Sequence, residues 1–459
     1  MATPEEWRAH LELRLDEQAQ HIQIFEDYYA GRHRTAFVTS KFREAFGDIF
    51  RTLVSNWCEI VVDAPVERLA IDGFRFADDQ EADETAWDIW MANNLPSQSI
   101  VAHTEAVKNG MAYVMLEPAE PHPKITVEHP AQVYIEYAAG SRTRRLAAIK
   151  RWQGVDGHVY VNVFLPDSVH KWVSKEPRAF RPLNLTRNKI TRPVLRFSES
   201  EEFEMREGSG PNPLGQVPVW EIANRPTMLD GGRSDLTTAI PLQDAINKEI
   251  ADMILASEFA AFPQRVVTGV EIPTDEDGKP LADKAELKAA ISRLWTFEDP
   301  DVKIDEFRAA DLNNYTNAIT LLLQHLAAQT RTPPHYLLGQ IVNASGDALK
   351  AAETGLVSKV QRKQIDFAEG WSGVMSAALE VVGAEMNDNV EVIWKDPEFR
   401  SEGEQVDAAV KLATLGVPFE ALWERVGATP QQVNRWSEQF RSTPAGQTPP
   451  DMNNADTGE

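Results

Sequence analysis

Two segments in the second half of the chain carry an apolar stripe with the three- and four-residue spacing of an α-helix. The stripe residues are Leu242, Ile246 and Ile250 in the first segment and Leu312, Ile319, Leu322 and Leu326 in the second. The segments, residues 240–262 and 311–331, predict helices of roughly 32–35 Å at about 1.5 Å per residue. Their matched length favours an antiparallel pair of helices, with residues 265–310 as a small inserted unit at the tip.

In the first half of the chain, a helical pattern of apolar residues is followed by a pattern typical of strands. Residues 6–29 place Trp7, Leu11, Leu15 and Ile22 on one helical face. Between residues 113 and 173, six short alternating runs are separated by turn residues, a pattern that predicts an antiparallel β meander. A polar connector, residues 198–218, then leads to a short strand at residues 219–222. The fold class is therefore α+β and mostly helical.

The C-terminal part begins with a stretch of small and polar residues, 340–347, followed by a long helix over residues 348–382. Gly355, Gly370 and Gly373 are possible kink points in that helix, because glycine weakens a helix interior. A strand at residues 390–394 and three short helices between 403 and 440 follow. Residues 441–459 have almost no apolar side chains, and we expect them to be disordered.

Composition narrows the classes of protein that fit these elements. The chain has 459 residues and a formal net charge of -24, so a broad surface that grips DNA through its phosphates is unexpected. Its single cysteine, Cys58, excludes a disulfide scaffold within one chain. No apolar run approaches the roughly 18–20 residues of a membrane span, and we expect no membrane partner.

Residue patterns that would support catalysis or metal binding are missing from the sequence. It contains no P-loop, no H-E-x-x-H motif and no G-x-S-x-G motif. The acidic run at Asp275, Glu276 and Asp277 resembles part of a calcium loop, but Lys279 and Pro280 occupy positions that a ligand and a turn glycine would need. We therefore expect no catalytic residue, no metal site and no cofactor, which favours an assembly or structural role.

Three stretches of the chain carry short motifs that occur in a fixed order. The first carries YYAG at residues 28–31 and NWCEIVVDAPVERLAIDGF at 56–74. The second carries GQVPV at 215–219, NRP at 224–226, SDL at 234–236 and IPLQDAIN at 240–247. The third carries RTPPHYLLG at 331–339, NASGDALK at 343–350 and KVQRK at 359–363. Together, these stretches resemble the portal proteins of long-tailed bacteriophages, and the resemblance extends over residues 28–436.

The resemblance implies a fold with four parts named wing, stem, clip and crown. By position in this sequence, the parts are the wing at 1–234 and 351–400, stem helices at 235–263 and 311–334, the clip at 264–310, a tunnel loop at 335–350, a helical crown at 401–440 and a tail at 441–459. It also implies a ring, usually of twelve copies, around a channel for double-stranded DNA at one capsid vertex of the virion, assembled in the host cytoplasm. The implied partners are the terminase large subunit, head-completion (adaptor) proteins, and the major capsid and scaffold proteins. ATP hydrolysis would belong to the terminase.

The same resemblance implies two sets of site residues. The tunnel loop, expected to face DNA, contains Gln340, Ile341, Val342, Asn343, Ala344, Ser345, Gly346 and, at its end, Lys350. Lys350 fits equally well as a solvent-facing residue on the first turn of a helix. The clip, expected to contact the terminase and the head-completion proteins, has an acidic mouth at Glu271, Asp275, Glu276 and Asp277.

The charge of the clip segment agrees with a channel that does not bind DNA tightly. Between Glu271 and Asp301 there are nine acids and four bases, a net charge of -5, which repels duplex DNA. Two alternatives stay open at this point. One is another oligomeric virion or assembly adaptor without a DNA channel, and the other is a metal-dependent nuclease that uses scattered carboxylates.

Overall fold

The fold is mixed α+β, in a computed structural model that divides the chain into two compact units. The larger unit contains Met1–Arg32, Asn56–Ile240 and Gln329–Glu459, and the smaller contains His33–Ser55 and Pro241–Ala328. The structure describes residues 3–33, 55–76, 83–177, 202–228, 231–261, 265–268, 303–306, 311–339, 346–384, 390–398, 402–428 and 430–442. In that part of the chain, no helix carries an apolar stretch long enough to cross a membrane.

Helix α1 (Pro4–Tyr29) packs on the main sheet of the larger unit. Thr3 caps it, because the Thr3 hydroxyl accepts a bond from the Glu6 amide and the Glu6 carboxylate accepts one from the Thr3 amide, at 3.2 and 2.8 Å. The predicted stripe is confirmed: Leu11, Leu15 and Ile22 are buried. Leu11 and Leu15 share one core with Ile149 and other residues of the sheet.

The strands predicted as one meander divide between two antiparallel sheets. The main sheet has the order β4-β5-β6-β7-β8 and consists of β4 (Val133–Tyr137), β5 (Arg145–Gln153), β6 (Val159–Phe164), β7 (Ser168–Ser174) and β8 (Phe203–Met205), with β9 (Gly210–Pro211) also paired to β7. The second has the order β10-β2-β3 and consists of β2 (Met111–Glu117), β3 (Lys124–Glu128) and β10 (Val219–Ala223).

Two details of that prediction were wrong. The expected connector at residues 198–218 contributes the short strands β8 and β9. The strand β2 pairs with β10, which lies about a hundred residues later, through the register Trp220↔Val114. The alternation of apolar and polar residues identifies a strand but not the strand with which it pairs. It therefore could not predict a pairing between segments so far apart in the sequence.

A two-stranded sheet and the longest helix pack around an aromatic core. Strand β1 (Ile71–Phe76) is antiparallel to β13 (Val390–Trp394), and helix α8 (Gly346–Val381) packs against β13 and β10. Helices α2 (Cys58–Val66), α3 (Glu84–Ala92) and α4 (Leu95–Asn109) complete this region. His103 is fully buried there, where its Nε2 accepts a hydrogen bond of 2.9 Å from the Trp371 indole and its Nδ1 lies 3.2 Å from the Leu69 carbonyl.

The glycines expected as kink points lie within the single helix α8. Two of them permit close packing instead. A Cβ on Gly370 would lie 2.5 Å from the Glu221 carbonyl oxygen, and one on Gly373 would lie 2.6 Å from the Trp220 ring. The physical reason for these glycines is therefore the close approach of β10 to the helix backbone.

The smaller unit contains most of the two long helices. Helix α5 (Leu236–Ala261) is followed by β11 (Arg265–Thr268), and β12 (Lys303–Glu306) precedes helix α6 (Asn313–Thr330). The two strands form an antiparallel ladder with the register Arg265↔Glu306. As predicted, Asp311 caps the second helix, since its carboxylate accepts the Asn313 amide at 3.0 Å. The first helix begins four residues before the predicted Ile240, so that Pro241 lies inside it.

Of the remaining described helices, a short one immediately precedes the long helix α8 and three follow it. Helix α7 (Pro334–Leu338) was not predicted, and it is separated from α8 by residues 339–345. The three short C-terminal helices are confirmed as α9 (Glu402–Ala413), α10 (Phe419–Arg425) and α11 (Pro430–Ser442). The predicted disordered tail, from residue 443 onward, lies outside the described residues.

Candidate functional site

A cluster of buried charged residues lies where α5 begins, α6 ends and α8 passes. Its members are Asn224, Asp235, Thr330, Lys359 and Lys363. Three of the sequence stretches that resemble portal proteins, NRP, SDL and KVQRK, supply four of these five residues. Residues far apart in the sequence therefore meet at one point inside the larger unit.

Asp235 is the centre of this cluster and its only acid among the described residues. One carboxylate oxygen, Oδ2, lies 2.8 Å from the Lys359 ammonium and 3.0 Å from the Lys363 ammonium. The other, Oδ1, accepts a hydrogen bond of 3.0 Å from the Asn224 amide and lies 3.7 Å from Arg225. The Asp235 side chain is 2% exposed, so these partners replace water almost completely.

The two lysines are one helical turn apart on α8 and each reaches a second partner. Lys359 donates to the Thr330 carbonyl, the last residue of α6, at 2.9 Å. Lys363 donates to the Asn224 side-chain carbonyl. The single ammonium of Lys359 thus joins the residue before α5 to the end of α6.

The electrostatics of the cluster follow from two buried cations beside one anion. Burial alone would raise the pKa of Asp235, but the charges of Lys359 and Lys363 outweigh it and hold that pKa well below its usual range. Burial lowers the pKa of Lys363 to about 8, although Asp235 opposes the change. Two buried ammonium groups therefore share one buried carboxylate.

Backbone contacts fix the segment that carries Asp235. The Asp235 amide donates to the Val107 carbonyl at 3.0 Å, and the Asn224 amide donates to the Gly110 carbonyl at 2.8 Å. The Ser234 hydroxyl accepts the Leu236 amide at 3.0 Å and so caps α5. The start of α5 is therefore held on the C-terminal end of α4, which Gly110 terminates with a φ of 95°.

This arrangement can hold helices in position but offers no reactive group. Every charge in it is paired, and a nucleophile or general base needs a free, partly accessible group. Paired buried charges fix one packing arrangement among several of similar apolar content. The cluster is thus a buried ionic joint that ties the residue before α5, the last residue of α6 and α8 together within the larger unit.

The predicted stem residues lie on the two long helices, except Leu312, which immediately precedes the second helix, and they differ in burial. Ile246 and Leu326 are fully buried. The others are half-buried, namely Leu242, Ile250, Leu312, Ile319 and Leu322. Sequence analysis missed Gln243, which is buried and donates to the Ser55 carbonyl at 2.8 Å. Because Gln243 is polar, it does not belong to the apolar stripe, and the spacing of apolar residues therefore did not indicate its burial.

The predicted clip and tunnel-loop residues mostly lie outside the described residues. This applies to Glu271, Asp275, Glu276, Asp277 and residues 340–345. The boundaries of the loop differ from the expected 335–350, because Pro334–Leu338 is helical and Gly346–Val381 is one helix. Gly346 and Lys350 therefore belong to the first turns of α8, where Lys350 is exposed.

One sequence pattern, a pair of lysines on an apolar helix face, could have indicated this buried joint. Lys359 and Lys363 are four residues apart on a helix face that also carries Leu356, Val360 and Phe367, all buried. A lysine pair on an apolar helix face requires an acid nearby, because buried charges are paired. Sequence alone could not show that the acid is Asp235.

A second polar cluster brings together Glu26 of α1, Glu105 of α4 and His129 within reach of one cation. The ammonium of Lys108 lies 2.8 Å from Glu26 and 2.7 Å from Glu105, and thus supplies positive charge to both carboxylates. Burial alone would raise the pKa of Glu26, but His129 and Lys108 outweigh it and lower that pKa to about 2. The cluster fits a lysine-neutralised pair of carboxylates.

Comparison with known proteins agrees with the features above. The family described as "Phage portal protein, SPP1 Gp6-like" matches residues 9–442. Proteins named portal protein from Mycobacterium phage D29 and Mycobacterium phage L5 are 31% and 29% identical over 409 and 410 residues, which cover 83% of this chain and 78% of each relative. A chain in the neck of a native gene transfer agent particle, computed with C12 symmetry, covers 80% of this chain and 88% of its own length, with 12% identity and a TM-score of 0.45. The chain belongs to the phage portal protein family and is a phage portal subunit.

Proposed function

We propose that copies of this subunit form a ring, of twelve copies, at one vertex of the capsid, around a channel through which double-stranded DNA enters and leaves. The observation that carries the proposal is the family match over residues 9–442. Two long helices with half-buried apolar residues add support, since neighbouring copies would complete their burial. The subunit would enter the ring in the host cytoplasm and remain in the virion.

The proposed stem of this ring is an antiparallel pair made of α5 and α6. The ladder of β11 and β12 joins the end of α5 to the start of α6. At the opposite ends, Lys359 bridges Asp235, just before α5, and Thr330, the last residue of α6. Two connections at opposite ends favour helices that run in opposite directions. Because the described residues of α5 and α6 make little direct contact with each other within one subunit, neighbouring copies would have to complete their packing.

Electron microscopy of the purified protein tests the proposal directly. We expect rings with a central channel and cyclic symmetry. Oligomers without a channel would favour the alternative of an assembly adaptor, and a protein that stays monomeric at every concentration would overturn the ring. A magnesium-dependent DNA cleavage assay tests the structural assignment, and we expect no cleavage.

The clip segment, residues 264–310, is proposed as the channel mouth that meets the terminase large subunit and later the head-completion proteins. Its net charge of -5 between Glu271 and Asp301 would keep DNA from binding there. We expect wild-type rings to bind DNA weakly at moderate salt, and the triple change Asp275→Asn, Glu276→Gln and Asp277→Asn to increase the affinity. Tight binding by wild-type rings, with a steep salt dependence, would contradict this role.

Residues 340–345 are proposed as the part of the tunnel loop that faces DNA, with Gly346 and Lys350 at its C-terminal end. The small or polar residues Asn343, Ala344, Ser345 and Gly346 suit a segment close to a moving polymer. We expect deletion of residues 341–346 to leave rings intact and to reduce the packaging or retention of DNA. Unchanged packaging would remove the assignment.

A further inference from the structure

The short helix α7, Pro334–Leu338, depends on residues outside itself. Five residues are too few for a stable isolated helix. Leu337 is buried, and its carbonyl accepts a hydrogen bond of 3.3 Å from the Trp57 indole. Trp57 is the residue immediately before α2, and a second contact to α7 comes from Arg68, two residues after α2 ends.

The guanidinium of Arg68 joins three separate segments of the larger unit. One terminal nitrogen donates to the Tyr336 hydroxyl at 3.0 Å and to the Glu353 carboxylate at 3.1 Å. The other donates to the Pro397 carbonyl at 3.2 Å. The Arg68 and Glu353 side chains are only 16% and 22% exposed, which strengthens the pair relative to one on the open surface.

Two of these partners lie on either side of one connection in the chain. Tyr336 is on α7, before residues 340–345, and Glu353 is on the second turn of α8, after them. His335, also on α7, places its Nε2 3.7 Å from the second carboxylate oxygen of Glu353. Both flanks of the connection are therefore tied to the same guanidinium and carboxylate.

We infer that Arg68 is a positioning residue that holds α7 against the first turns of α8 and so fixes the two points between which residues 340–345 run. The planar guanidinium suits this role because it donates in several fixed directions at once. A lysine at this position would keep the charge but could not reproduce the geometry of the three contacts. The consequence for DNA rests on the proposed function, in which residues 340–345 face the channel.

Hydrogen exchange in the assembled protein tests the inference locally. The Gly339 amide donates to the His335 carbonyl at 3.1 Å and reports on the end of α7. In Arg68→Met, we expect this amide to exchange about tenfold faster or more, as when one charge-assisted hydrogen bond is lost. Arg75→Met is the matched control: it removes an Arg–Glu pair of 2.7 Å between β1 and β13 and should leave Gly339 unchanged.

Three milder variants separate positioning from general stability. Arg68→Lys should accelerate exchange at Gly339 although the charge is kept, and Tyr336→Phe and Glu353→Gln should each do so to a smaller extent. Exchange in β6, which none of these residues contacts, should be unchanged in all three. Wild-type exchange at Gly339 in both Arg68→Met and Arg68→Lys would overturn the inference.

A DNA-packaging measurement on phage that carry Arg68→Lys then addresses the consequence. Faster exchange together with a loss of packaged DNA supports the full inference. Faster exchange with unchanged packaging keeps the positioning role of Arg68 and overturns the proposed DNA-facing role of residues 340–345. The two failures are thus distinguishable.

Discussion

Replacing Asp235 by asparagine should be among the most destabilising single changes in this protein. The variant leaves the ammonium groups of Lys359 and Lys363, at 2.8 and 3.0 Å from the lost charge, without a counter-ion in a buried site. Removing one partner of a buried ion pair typically costs about 3–5 kcal/mol of unfolding free energy. The matched surface change, Glu391→Gln, removes a pair whose acid is 52% exposed and should cost less than about 0.5 kcal/mol.

Replacing Lys363 by methionine should not destabilise the protein, although Lys363 is equally buried. Burial lowers the pKa of Lys363 to about 8, so charging it in the folded state at neutral pH costs about 3 kcal/mol relative to the unfolded chain. Methionine removes that cost, keeps most of the volume and leaves Asp235 paired with Lys359. The loss of the bond to Asn224 offsets part of the gain by about 1 kcal/mol.

Urea unfolding followed by tryptophan fluorescence, at one fixed protein concentration, measures these differences. Asp235→Asn should lower the unfolding free energy by about 3–5 kcal/mol, Lys363→Met should raise it by about 2 kcal/mol, and the double variant should be more stable than Asp235→Asn alone. Equal losses in the two single variants, or a loss in Asp235→Asn no larger than in Glu391→Gln, would refute the reasoning.

The sign of the pH dependence provides a second check on the same cluster. Between about pH 8 and 10.5 the unfolded chain keeps the Lys363 proton that the folded protein has lost, so this residue makes stability rise with pH in that window. Lys363→Met should flatten the rise. For Asp235 the folded pKa is depressed, so its contribution is present above the unfolded pKa of about 4 and is lost as the pH falls.

Two further predictions concern the core of the larger unit. Burial lowers the pKa of His103 to about 3, although the Leu69 carbonyl opposes the change. The unfolding free energy should therefore fall by about 1.4 kcal/mol per pH unit below about pH 6.5. In His103→Gln, unfolding measured from pH 7 to 5 should show a shallower dependence on pH. Gly370→Ala would place a Cβ 2.5 Å from the Glu221 carbonyl oxygen, which should cost about 1–3 kcal/mol in a thermal or urea melt. Gly403→Ala, with open space around the new Cβ, is the control and should not lower the melting temperature.

The sequence resemblance leads to the portal family without coordinates, because the motifs and their order are properties of the chain itself. Helical stripes such as Leu11 and Leu15, and strands such as Val133–Tyr137, could also be predicted from the sequence, because each depends on a periodic spacing of nearby residues. The end of α6 and the Asp311 cap followed from local chemistry as well.

Other features depend on contacts between distant segments and could not be read from the chain. The partner of β2 is β10 because the two strands meet across about a hundred residues. The roles of Gly370 and Gly373 depend on how closely β10 approaches α8. The helix α7 was missed because five residues carry no periodicity, and side chains at Trp57 and Arg68 hold it in place.

By itself, then, the sequence determined the class of protein, most of the helices and strands, and the acidic character of the segment between the long helices. Only the tertiary structure decided which charges meet. Asp235, Lys359 and Lys363 are ordinary polar residues in the sequence. They become a joint because folding removes them from water and brings them together with one another and with Asn224 and Thr330.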